Sequence, residues 1–215
     1  MSAVRAVAFD FNGTLSHDEP ILYTVYRDIF AAHGRPLTES DYFGTLAGLS
    51  EEAIIGTWLG VHGAELAALV EERIERYLAL AGHGETVSQS VRDAVVYAAR
   101  RVPVAVVSGA FRREIEPVLH GAGLVGEIAV LVAADDVERG KPDPAGYVRA
   151  IELLDRNLRP HEVVAFEDTE AGVASAKAAG LRCVGVLGTH ARERLGLADE
   201  LADGVEVALI QRLLA

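Results

Sequence analysis

Cysteine is almost missing from this chain: Cys183 stands alone between Arg182 and Val184 in an apolar run. A single thiol excludes an internal disulfide and a thiolate metal cluster, and its surroundings mark it as a buried structural side chain. Lysine is nearly as scarce, with Lys141 and Lys177 against eighteen arginines, and none falls between Ser16 and Glu85. Basic charge is short overall: 20 Lys plus Arg face 32 Asp plus Glu, for a net charge of -12 and an isoelectric point near 5.0. That balance argues against a surface that tracks nucleic-acid phosphates. No apolar run approaches the roughly 20 residues of a membrane span, and the first residues lack a charged start followed by a long apolar stretch. A cytoplasmic protein that binds neither nucleic acid nor membrane is expected. Repeats and low-complexity tracts are absent, and the seven prolines are scattered rather than gathered in a linker. Nothing sets an oligomeric state, and a monomer suffices.

What is present is ample apolar material. Half of the 215 residues are hydrophobic, enough for one core or for a core with a smaller inserted domain. Short apolar runs that end at turn-forming residues recur at Val4 to Phe9, Val102 to Val107, Ile128 to Ala133, Val163 to Phe166 and Leu181 to Leu187. These read as strands buried on both faces. Helical periodicity over Arg112 to His120, Ala145 to Asp155 and Glu170 to Ala179 alternates with them. The fold class is therefore α/β, a doubly wound parallel sheet with helices on both sides.

The interval from Ser16 to Gly84 has no convincing strand, but helices fit Pro20 to Ala32, Ser40 to Leu46, Ser50 to Leu59 and Ala64 to Ala81. A helical domain over 16–84 is expected, inserted into a core formed by 1–15 and 85–215. It re-enters through Gly82-His83-Gly84 and is placed to act as a lid. The run Glu71, Glu72, Arg73, Glu75, Arg76 reads as a solvated helix face, with Glu72 and Arg76 at favourable spacing.

Ligands in open α/β sheets gather outside the carboxyl ends of the strands. The first strand ends in Asp10, the second in Ser108-Gly109 and the fourth in Glu167-Asp168, while Gly140-Lys141-Pro142-Asp143-Pro144 opens the helix before that fourth strand. Together these supply a nucleophile, a hydroxyl donor, a cation and a carboxylate pair, the partners a phosphoryl group in transfer requires. Oxygen ligands from Asp10, Asp168 and the main-chain carbonyl of Asn12 suit Mg²⁺. Zinc is a poor fit, because none of the seven histidines shows ligand spacing.

On these motifs the whole chain resembles the haloacid dehalogenase-like superfamily. The branch is the one with a helical cap after the first strand, typified by β-phosphoglucomutase-like and phosphoglycolate phosphatase-like proteins. The matching residues are Asp10, Gly13 and Thr14; Val106-Val107-Ser108-Gly109; Gly140-Lys141-Pro142; and Phe166-Glu167-Asp168 followed by Gly172. The resemblance implies a Mg²⁺-dependent phosphatase acting on a small phosphorylated metabolite through an aspartyl-phosphate on Asp10. Ser108 and Lys141 would hold the phosphoryl oxygens, with Gly13, Thr14 and Gly109 lining the phosphate site. Asp168 would bind the metal with Asp10 and Asn12, and Glu167 would bind it directly or through water.

Position 12 departs from the pattern. Phosphatases and mutases of this family generally carry an aspartate there that moves protons, whereas Asn12 is proton-silent near neutral pH. Slow turnover is expected unless another group substitutes, and His17 is the nearest titratable residue in sequence. Leu22 and Glu51 stand where related mutases place a histidine and an arginine, which disfavours a bisphosphate and a mutase. The lysine-free interval from Ser16 to Glu85 excludes Schiff-base chemistry in the cap. Arg112 is a further candidate for substrate contact. The competing expectations are a silenced member that binds a phosphorylated ligand as a sensor, and a sugar-phosphate mutase.

Overall fold

The computed structural model describes residues 3–215. Its centre is a six-stranded sheet in the order β3-β2-β1-β4-β5-β6, built from β1 (Ala6–Phe9), β2 (Val104–Val107), β3 (Val130–Val132), β4 (Val163–Glu167), β5 (Arg182–Val186) and β6 (Glu200–Ala202). Every neighbouring pair is parallel, with Phe9 opposite Val106 on one side and Phe166 on the other. The first strand is therefore central, and the chain winds outward from it in both directions. The switch point, where an α/β sheet opens a crevice, lies between β1 and β4.

Between the first two strands run α1 (Glu19–Ala32), α2 (Glu39–Asp41), a π turn over Tyr42–Leu46, α3 (Glu51–Leu59), α4 (Gly63–Ala81) and α5 (Gln89–Ala99). After β2 come α6 (Arg112–Gly121), α7 (Ala145–Leu154) before β4, α8 (Glu170–Ala178) before β5, and α9 (Val207–Leu214) at the carboxyl end. Alternation along the strands sorts the side chains by size. Ala6, Ala8, Ala105 and Ala165 pack with Tyr147 of α7 and Val173 of α8. Val7, Phe9, Val106 and Phe166 face Val95 of α5, Ile115 of α6 and Ile210 of α9, and join the core of the helical segment.

That segment is the inserted cap, and its two connections are tied together. The Ser16 hydroxyl donates to Thr86 Oγ1 at 2.7 Å, and the His17 N–H donates to the Thr86 carbonyl at 2.9 Å. At the return point Gly84 has a φ of +78°, and a Cβ there would meet the Ala122 backbone nitrogen at 2.2 Å. The glycines of this turn thus permit a backbone approach no side chain would allow. Among the described residues no single helix is long and apolar enough to cross a membrane.

Three readings of the sequence change. The segment after Ser40 forms one helical turn that widens into the π turn, so it is not a continuous α-helix. The edge strand β6 and helices α5 and α9 were not anticipated. The charged face of α4 is solvated only in part: Glu72 and Arg76 pair at the surface at 2.6 Å, but Arg73 is wholly buried.

Candidate active site

The carboxyl ends of β1, β2 and β4 open into a cavity of about 290 Å³, walled on the far side by the cap. Asp10, Asn12, Ser108, Gly109 and Lys141 line it from the sheet side; Glu19, Leu22, Tyr26, Tyr42, Ser50 and Glu51 line it from the cap. Asp10 is carried there by a backbone that continues the ladder, its N–H bonding to the Phe166 carbonyl at 2.9 Å. Ser108 is set the same way, its N–H on the Val132 carbonyl at 2.9 Å and its Oγ accepting from the Ala110 N–H at 3.1 Å.

Lys141 is the electrostatic hub. Its Nζ donates to Asp10 Oδ1 at 2.5 Å and to the Val107 carbonyl at 3.0 Å, and pairs with Glu167 Oε1 at 2.7 Å. Burial alone would lower this ammonium, but the Asp10 and Glu167 carboxylates outweigh it and hold Lys141 above the usual lysine range. Glu167 also accepts from the Tyr147 hydroxyl at 2.5 Å. Burial pushes Glu167 up to about 8 against the pull of Lys141, and burial with the nearby Asp10 charge raises Asp168 well above its ordinary value.

These residues fit a hard divalent cation. Oxygens of Asp10, Glu167 and Asp168 lie within 4.8 Å of one another, and Glu167 Oε2 and Asp168 Oδ2 are buried without a protein partner. Buried carboxylate oxygens left unpaired are costly, and three carboxylates exceed the charge of one lysine. Two glycines make room for them: a Cβ on Gly13 would lie 1.9 Å from Asp168 Oδ2, and one on Gly172 would lie 1.8 Å from Glu167 Oε2. Gly13 also has a φ of +75°, which turns the chain sharply after Asp10.

The other expected site residues divide. Thr14 is buried and donates to Asp168 Oδ1 at 3.2 Å, so it braces the acidic cluster. Asn12 faces the cavity while its Nδ2 donates to Asp18 Oδ2 at 2.9 Å. His17 is exposed and does not line the cavity; Arg112 is held away from it by Asp136 at 2.7 Å and the Leu131 carbonyl at 2.9 Å. Glu51 reaches the cavity wall but is not a free carboxylate, since it pairs with Arg73 and accepts from the Tyr26 hydroxyl. Thr169, rather than Glu167 or Asp168, caps α8, its Oγ1 accepting from the Gly172 N–H at 3.1 Å.

Sequence reasoning missed four residues around this cavity. Tyr147 orients Glu167, Tyr42 donates to Glu19 at 2.9 Å, Glu19 is buried at the cavity wall, and Arg73 joins the cap to the core through Glu114. Only Glu19 carried a signal, as a carboxylate at the expected cap junction.

A central parallel sheet that gathers Asp10, Lys141 and an acidic pair at its switch point has the arrangement of a phosphoryl-transfer site. The family model for haloacid dehalogenase-like hydrolases matches residues 4–180, and the chain belongs to that family. It is 33% identical over 92% of both chains to the validoxylamine A 7'-phosphate phosphatase of Streptomyces hygroscopicus subsp. limoneus. It is 31% identical over 86% of both chains to a phosphorylated carbohydrates phosphatase of Thermotoga maritima. Among solved structures, an aspartate-to-asparagine variant of CbbY from Rhodobacter sphaeroides, in complex with xylulose-(1,5)bisphosphate, superposes with a TM-score of 0.82 at 27% identity, covering 94% of this chain and 95% of that one.

Proposed function

We propose that this protein is a Mg²⁺-dependent phosphatase that transfers the phosphoryl group of a small phosphorylated polyol or sugar to Asp10 and then to water. The observation that carries this reading is the meeting of Asp10, Ser108 and Lys141 at one cavity, with the buried Glu167-Asp168 pair directly beside Asp10. Asp10 attacks phosphorus; Lys141 and Ser108 hold the equatorial oxygens, where charge accumulates during transfer. Mg²⁺ would be held by Asp10, Asp168 and the Asn12 carbonyl, with Glu167 direct or through water, and supplies charge neutralisation when bound. Residues 16–84 act as a cap over a core of 1–15 and 85–215, excluding water and selecting the leaving group.

The cavity also narrows the substrate. Lys141 is the one cation among its lining residues, and the cap side presents Glu19, Glu51, Tyr26 and Tyr42. Such a wall disfavours a second phosphate and suits hydroxyl or amine groups, as expected for a monophosphate. The two relatives are named for validoxylamine A 7'-phosphate and for phosphorylated carbohydrates, which supports a small phosphorylated substrate.

The experiment is phosphate release from a panel of sugar, cyclitol and amino-sugar monophosphates, with and without Mg²⁺. Release that needs Mg²⁺ and vanishes in Asp10→Ala is the expected result; release that survives Asp10→Ala refutes the nucleophile. The second reading, a binder without turnover, is favoured by Asn12 alone, and predicts tight ligand binding with no release by the unmodified protein.

A further inference from the structure

The geometry points to Glu19 as the residue that moves protons in this site, acting from the first turn of α1 in place of the proton-silent Asn12. The inference rests on the hydrolase reading above and adds the missing acid and base to it.

Elimination among the cavity's own groups leads there. Of the carboxyl groups that line it, Asp10 is the nucleophile, Glu51 is neutralised by Arg73, and Glu52 and Glu138 are solvent-exposed. Asp18 does not line the cavity, and its oxygens are taken up by the Asn12 amide, the Gly13 N–H and the Tyr77 hydroxyl. His17 is exposed outside it. Glu19 remains: it lines the cavity, is 8% exposed, and its partner is the Tyr42 hydroxyl rather than a cation.

The groups facing Glu19 from each packed element set its charge state. Burial raises it; Asp18 on its own turn and Asp10 at the end of β1 raise it further. Tyr42 from the π turn and Arg73 from α4 oppose them, and it settles at about 8. Asp168 at the end of β4 senses the Glu19 charge in turn. A carboxyl balanced near neutral pH suits both giving and taking a proton.

The balance of the reaction is then complete. As an Asp10 oxygen bonds to phosphorus, the ester oxygen–phosphorus bond breaks, and the departing oxygen takes the Glu19 proton to become an alcohol. In the second step water bonds to phosphorus, the Asp10 oxygen–phosphorus bond breaks with its electron pair returning to the carboxylate, and the water proton restores Glu19. The sum is ester plus water giving alcohol plus phosphate.

Two aryl esters test this with the full chain and Mg²⁺. The 4-nitrophenyl ester has a leaving group stable as an anion and needs no acid in the first step; the phenyl ester needs one. In Glu19→Gln, 4-nitrophenyl phosphate should still give a rapid first-turnover burst, followed by turnover roughly 10²-fold slower, whereas with phenyl phosphate the burst itself slows by a similar factor. Restoring a titratable group by the exchange Asn12→Asp with Asp18→Asn should make Glu19→Gln nearly silent. In the unmodified protein, kcat/KM for phenyl phosphate should fall as pH rises above about 8, with no matching fall for the nitrophenyl ester. Burst rates that fall equally with both esters in Glu19→Gln mark a merely structural role and overturn the inference, as does parallel pH behaviour of kcat/KM for the two esters. An unmodified protein with no burst and no labelled Asp10 overturns the hydrolase reading, and this inference with it.

Discussion

At the scale of single residues, the site depends on one lysine among carboxylates and on two glycines that leave them room. Replacing Lys141 with Met leaves Asp10 and Glu167 buried without their cation, and removing one partner of a buried pair typically costs about 3–5 kcal/mol. Lys141→Met should therefore unfold at markedly lower urea and lose phosphate release as well. Gly172→Ala is subtler, because its Cβ would enter the space of Glu167 Oε2 at 1.8 Å. Overpacking of this kind costs about 1–3 kcal/mol; calorimetry should also show weakened Mg²⁺ binding, while the same substitution at exposed Gly34, where nothing lies within 4 Å, leaves Mg²⁺ affinity unchanged.

Asp10, Ser108 and Asp168 were legible because each sits next to a strand end, where chain order alone gives position, and Lys141 because Gly140-Lys141-Pro142 leads into the helix before β4. Tyr147 and Tyr42 were not, because a buried tyrosine looks the same in sequence whether its hydroxyl meets a carboxylate or a backbone carbonyl. Glu51 was legible as a position but not as a charge, since its neutralising partner Arg73 is 22 residues away in the chain.

At the scale of elements, the short apolar runs located β1 to β5, most clearly the central strands, because strands buried on both faces are continuous in sequence. β6 escaped: Glu200–Ala202 is a half-buried edge with neither a run nor an alternation long enough to see. The contact between α4 and α6 was equally hidden, since it depends on how the cap docks. Arg73 of α4, with no exposed surface, pairs with both Glu51 of α3 and Glu114 of α6, and Glu114 also accepts from the Phe111 N–H at 3.1 Å beside the serine loop. Beside it, Arg113, the residue before Glu114 in α6, pairs with Glu71 of α4 at the surface at 2.5 Å.

These two bridges should differ sharply in worth. Arg73→Met strands two buried carboxylates and should cost about 3–5 kcal/mol in urea unfolding. Arg113→Ala removes a solvent-screened pair and should cost under about 1 kcal/mol. Glu114→Gln combined with Arg73→Met should recover part of the first loss, since the stranded charge at α6 is gone.

At the scale of the whole molecule, stability follows the proton balance of the buried cluster. Burial raises Asp18 to about 6, and raises Glu19 and Glu167 to about 8 each, above ordinary values of 3.8, 4.5 and 4.5. An acid held above its unfolded value keeps its proton longer in the folded chain. The folded state then binds more protons than the unfolded one, and stability falls as pH rises through that interval. His190 runs the other way: burial lowers it to about 4 from 6.5, so its contribution grows as pH rises from 4 to 6.5 and is complete above that. Between pH 4 and 6.5 the two effects oppose each other. From 6.5 to 8 Glu19 and Glu167 still titrate and destabilise as they ionise, and Asp168, raised in the same direction, adds to the loss. In metal-free buffer the melting temperature should therefore drop between pH 6.5 and 8, by on the order of 5 °C for a chain of this size. Glu19→Gln should remove part of that drop, match the unmodified protein only near pH 4 and be the more stable of the two above it. Mg²⁺ should flatten it as well, because a cation that binds the ionised carboxylates stabilises most where they are ionised. A melting temperature that rises from pH 6.5 to 8 without metal would mean that the acidic cluster is already ionised in the folded chain, and that Lys141 alone balances it.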